Sequence, residues 1–142
     1  MQSTPRVALS FTVPYLTPNS GNHYKTPIKY VGHDGNLHMG FKLTKETQAY
    51  YDAVSIFARG ETVSPATEAE RKNTRYDIRM EVFLGPKKRL DIDNALKVGV
   101  DALVRAHVIH TDAAVNTCTA TIHRDERDNP RTVYHVTRLE KP

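Results

Sequence analysis

Residues 76–84 alternate, with Tyr76, Ile78, Met80, Val82 and Leu84 set against Asp77, Arg79, Glu81 and Phe83. A period of two marks a β-strand with one face on a core and the other toward water. Gly85-Pro86 ends that pattern, and from residue 93 the period lengthens. Leu96, Val100, Leu103 and Val104 fall at i, i+4, i+7 and i+8, which is one face of a helix running to about residue 106. A half-polar strand followed directly by an amphipathic helix buries both apolar faces only if the helix lies on the sheet.

The remaining segments fit the same scheme. Residues 7–13 predict a short first strand, broken by Pro14 and Pro18. Asp34-Gly35, between Tyr30-Val31 and Leu37-His38-Met39, predicts a hairpin. Thr44, Thr47 and Gln48 open a helix to about residue 58, with Ala49, Ala53, Ile56 and Phe57 as its apolar positions and Gly60 as its stop. Residues 61–74 carry Pro65 and many small polar groups and read as a connecting loop. Residues 115–122 and 133–139 read as two antiparallel strands joined by the turn-rich stretch 125–131. The expectation is one α+β domain over residues 1–142, with two main helices packed on a small mixed β-sheet.

Composition narrows the class of function. A chain of 142 residues with 39% hydrophobic residues builds one modest core. Lys and Arg exceed Asp and Glu by 20 to 16, which gives +4 and permits an anionic partner without demanding one. Cys118 is the only cysteine, which excludes an internal disulfide and a thiolate zinc cluster and suits a reducing cytoplasm. The start of the chain lacks a signal-peptide layout, and no apolar run approaches the roughly 20 residues that span a bilayer. The expected setting is cytoplasmic, with no membrane partner. Seven histidines raise zinc, but His107 and His110 lack a His-Glu-x-x-His spacing and suit the negative end of a helix instead.

Chemistry concentrates in Leu90-Asp91-Ile92-Asp93-Asn94, directly after Lys87-Lys88-Arg89. In extended backbone Asp91 and Asp93 point to one side, where two carboxylates hold a hard cation such as Mg²⁺. Lys97, one helical turn after Asp93, shares its face and can stabilise charge on a phosphate. The plainer reading is that the aspartates cap the helix and that Asp93, Lys97, Asp101 and Arg105 form a solvated face. Asp112 is the candidate third carboxylate. A helix over 93–106 carries the chain about 20 Å away, and residues 106–112 reach back at most roughly 20 Å. Closure within one chain is just feasible, and a site shared between two subunits competes with it.

The stretch 85–116 resembles the RusA family of Holliday-junction resolvases, small endonucleases common in prophages. A basic loop leads into Asp91-x-Asp93-Asn94-x-x-Lys97, then Asp101-Ala102-Leu103, a hydrophobic pair and Asp112-x-x-Val115. Pro18-Asn19-Ser20-Gly21-Asn22-His23-Tyr24-Lys25 is similar to the family's N-terminal loop, and the helix with Gln48-Ala49-Tyr50 follows it. The resemblance implies a RusA-like fold and a homodimer that resolves four-way DNA junctions by paired nicks in recombination and repair. It implies Asp91, Asp93 and Asp112 as metal-binding acids, Lys97 as the essential lysine, and Mg²⁺ as cofactor with Mn²⁺ as a substitute. One departure stands out, Thr111-Asp112 where members often carry two aspartates. It removes a fourth acid and bears on metal affinity.

Beside such a site, Lys87, Lys88 and Arg89 are expected on phosphates. Asn22, Tyr24 and Lys25 either contact DNA or build a turn, and Asn94 is expected to orient a carboxylate or a water at the DNA. A non-cleaving nucleic-acid-binding protein of the same fold is the alternative, although pure binding has no use for three carboxylates beside a phosphate.

Overall fold

The computed structural model describes residues 6–18, 25–85, 89–124 and 129–140. Along them run β1 (Arg6–Val13), β2 (Lys25–Val31), β3 (Leu37–Leu43), α1 (Lys45–Ala58), the single-turn α2 (Glu68–Arg71), β4 (Thr74–Leu84), α3 (Ile92–Arg105), a 3-10 turn (Asp112–Ala114), β5 (Val115–Arg124) and β6 (Arg131–Glu140). The expected α+β fold with two main helices on a mixed sheet is present. α2 interrupts the segment expected to be only a loop. Thr67 caps it by accepting the Glu70 N–H, and four residues are too few for a hydrophobic period to register.

The main sheet has the order β1-β6-β4-β5, with β4 parallel to β5 and antiparallel to β6. This corrects the expected pairing of the last two strands with each other. β5 and β6 do run in opposite directions, but β4 lies between them. The polar and apolar alternation specifies which face each strand buries, and not which neighbour it takes.

Helices α1 and α3 cover one face of that sheet. Tyr76, Ile78, Met80, Tyr134 and Val136 point into the core against Tyr50, Val54, Val98, Ala102 and Leu103. α3 comes close because residue 99 is glycine: a Cβ there would lie 2.4 Å from Cε of Met80. Tyr50 and Tyr134 share a hydrogen bond of 2.6 Å deep in this core, and burial pushes the Tyr50 phenol up to about 12. The opposite face of the sheet carries Asp77, Arg79, Glu81 and the threonines of β5, some of which pair across strands. His135 Nε2 donates to Glu81 Oε2 at 2.7 Å, and Thr117 donates to Asp77 at 2.7 Å.

β2 and β3 form a separate two-stranded sheet. It is the hairpin expected at Asp34-Gly35, with Gly35 at φ +80° in the turn. Among the described residues no helix is long and apolar enough to cross a membrane.

Candidate active site

Asp91 sits in extended backbone immediately before α3, and its Oδ1 accepts the N–H groups of Asp93 at 3.0 Å and Asn94 at 3.4 Å. The capping role weighed against metal binding is therefore real. It engages Oδ1, and a carboxylate has a second oxygen to offer, so capping and ligation are compatible. Asp93 is exposed in the first turn of α3, where the positive end of the helix favours negative charge. Lys97 lies one turn further on an exposed position, and the exposed Arg89 precedes Asp91 by two residues. Two hard oxygen donors at an accessible helix start suit a divalent cation of the Mg²⁺ kind.

Asn94 has another task from the one expected. It is 6% exposed, and its Nδ2 donates to the Pro18 carbonyl at 2.6 Å. The helix start is thereby tied to the chain that leads into residues 19–24. Asn22, Tyr24, Lys87 and Lys88 lie outside the described residues. Lys25 opens β2, with its side chain also outside them.

Asp112 lies at the opposite end of the fold. α3 has 14 residues, a length of roughly 20 Å, and the segment after it does not double back. It enters β5, whose first residue Val115 pairs with Tyr76 near the beginning of β4, whereas Asp91 follows that strand's far end. Among the described residues no three His, Cys, Asp or Glu side chains gather closely enough to hold one ion. One chain thus sets Asp91 and Asp93 at the same helix start, with Asp91 extended but Asp93 already in the helix rather than in the extended backbone expected of both, and leaves Asp112 apart.

Asp112 is exposed in the 3-10 turn, which Thr111 caps by accepting the Ala113 N–H. It borders a cleft of about 250 Å³ together with Asp101, Arg105 and His110. The buried Tyr76 hydroxyl, which needs a partner in the core, shares a hydrogen bond of 2.6 Å with Nδ1 of His110. Desolvation, with the Arg71 charge second, pushes His110 below its ordinary value and favours the neutral ring. His107 takes a left-handed φ of 60°. His107 N–H bonds Val104 O and Val108 N–H bonds Leu103 O, which closes α3 in a Schellman motif.

Sequence reasoning missed the shared cleft of Asp101 and Asp112, the Tyr76–His110 bond and the anchoring role of Asn94. Tyr76 reads simply as a core position, and only the combination of a helix end, a histidine and an aspartate within six residues hinted at the second. The family model of endodeoxyribonuclease RusA matches residues 2–137 of the chain. No curated protein matches it.

Proposed function

The chain belongs to the endodeoxyribonuclease RusA family, and from that premise we propose a Mg²⁺-dependent homodimeric endonuclease that resolves four-way DNA junctions by paired, symmetric nicks. The observation that carries the reading is the exposed Asp91 and Asp93 at the start of α3, flanked by Arg89 and Lys97. In a homodimer, Asp112 of one copy completes the acid pair of the other, which accounts for its distance from Asp91 within one chain. A two-fold dimer also carries two such sites, and a four-way junction, itself nearly two-fold symmetric, presents two strands to cut.

Asp91, Asp93 and Asp112 would hold the cation through carboxylate oxygens. When bound, it supplies Lewis acidity toward the scissile phosphate and lowers the pKa of a water. Lys97 stabilises the charge that builds on the phosphate. Arg89, with Lys87 and Lys88, neutralises the flanking backbone. Asn94 holds Pro18 against the helix that carries the acids.

The deciding experiment presents the protein with a mobile four-way junction and a matched linear duplex, with and without Mg²⁺. Symmetric nicks on the junction alone, abolished reversibly by EDTA, are expected. Tight junction binding with no cleavage under any divalent metal would replace this reading with that of a non-cleaving binding protein.

A further inference from the structure

The β2–β3 hairpin leaves one face uncovered. Lys29 pairs with Met39 and Val31 with Leu37, and residues directly opposite in a ladder share a face. Val31, Leu37 and Met39 are 69%, 66% and 74% exposed, so three aliphatic side chains and one ammonium meet solvent together. The other face is partly covered by its own side chains, with Tyr30 still 48% exposed. Tyr30 stacks on His38 at 5.5 Å, and Gly40 leaves room for it, since a Cβ there would approach Tyr30 to 3.0 Å. The turn is preformed, with Asp34 accepting from Asn36 N–H at 2.9 Å and from His38 at 3.0 Å. A two-stranded sheet of this kind is marginal by itself in water, and its open face is the sort that a partner covers.

The body of the molecule carries a matching recess. A groove of about 490 Å³ runs beside α1, with an apolar floor and wall from Tyr15, Ala53, Ile56 and Phe57 and with Glu46 and Asp52 also lining it. Ile56 is 68% and Tyr15 55% exposed. The groove is apolar with acidic members, and the hairpin face is apolar with a basic one. DNA is a poor occupant of a recess that holds two carboxylates.

We propose that the β2–β3 hairpin of one copy docks its Lys29–Val31–Leu37–Met39 face into the Tyr15–Ile56–Phe57 groove of a second copy, and that the exchange is reciprocal. This rests on the homodimer proposed above and names its surface. Stable complexes bury ~800 Å² per partner. Reciprocal exchange about a two-fold axis uses both surfaces of both copies. Lys29 then approaches Glu46 or Asp52 at the rim of the contact.

Sedimentation of the full chain across a concentration series tests this, with Met39→Glu on the arm and Ile56→Glu in the groove. Both positions are exposed in one chain, and circular dichroism checks that folding survives. Each substitution is expected to weaken dimerisation at least about 30-fold, as loss of a central contact does. Lys29→Asp should weaken it as well, and adding Asp52→Lys should restore it. If the wild type is dimeric and both glutamate variants dimerise equally well, the arm-and-groove contact is wrong while the homodimer stands. If Met39→Glu stays dimeric but loses junction binding, the hairpin is a DNA element and the proposal falls. A wild type that is monomeric at every concentration overturns the contact and the homodimer together, whereas junction cleavage by that monomer would leave the nuclease reading intact.

Discussion

Asn94 and Pro18, 76 residues apart in the chain, are joined by a hydrogen bond of 2.6 Å from the side-chain amide to the backbone carbonyl. The bond ties Pro18 to the helix start that bears the acids. Asn94→Ala leaves a partly buried carbonyl without this donor, at a cost of about 1–3 kcal/mol. The expected result is lower stability in urea together with a raised Kd for a four-way junction, while the rate of cutting bound substrate changes little. Unchanged junction affinity would separate the Asn94–Pro18 bond from DNA binding.

Asp91 carries two roles that two substitutions separate. Asparagine caps a helix as well as aspartate does, so Asp91→Asn should keep stability within a few tenths of a kcal/mol while cleavage is lost. Asp91→Ala should lose cleavage and also about 1 kcal/mol of stability. Asp93→Asn, which removes charge without touching the cap, should abolish cutting and leave junction binding equal or tighter. Full cleavage by Asp91→Asn would reduce Asp91 to a cap.

A site completed across two subunits permits complementation. In a dimer of an Asp93→Asn chain with an Asp112→Asn chain, one composite site collects both lesions and the other is intact. Equal mixing should restore about a quarter of wild-type nicking, as single rather than paired cuts. A site built within one chain gives no activity from the same mixture, because each copy then carries its own defect.

His110 provides a pH signature. Its pKa in the folded protein is lowered by desolvation and by Arg71, so the unfolded chain binds a proton more readily and folding disfavours the charged ring. The associated stability is fully present above the unfolded value of 6.5 and is lost as pH falls through the lower folded value. Glu81, held down first by its hydrogen bond to His135, acts only below its ordinary 4.5. Urea midpoints between pH 7 and 5 should fall less for His110→Gln, which keeps an acceptor for Tyr76, than for the wild type. Parallel slopes would remove His110 from the account.

What could be read from the sequence was local. The alternation at 76–84, the turn at Asp34-Gly35 and the aspartate ahead of α3 each depend on neighbours within a few residues, and each took its expected form. The insertion of β4 between β5 and β6 depends on pairings across scores of residues, and alternation carries no information about them. Asn94 looked like a polar site residue because the carbonyl it bonds, that of Pro18, is far away in the chain. His107 took a left-handed cap that glycine ordinarily fills, since the Schellman bonds and the packing of Val108 outweighed the modest cost. The distance estimate for Asp112 left two routes open, and the entry of β5 beside the beginning of β4 sets Asp112 at the other end of α3 from Asp91.

The order β1-β6-β4-β5 also bears on how the protein is made. β6 follows the other five strands in the chain, yet it is the strip that joins β1 to β4. At ribosomal speeds β1 therefore waits on the order of ten seconds for β6, its partner among the described strands, while β4, α3 and β5 can already assemble as a unit. During that interval Leu9 and Phe11 lack their pairing with Val136 and Tyr134. Synthesis temperature and chaperone supply should accordingly govern the yield of this chain more strongly than its final stability does.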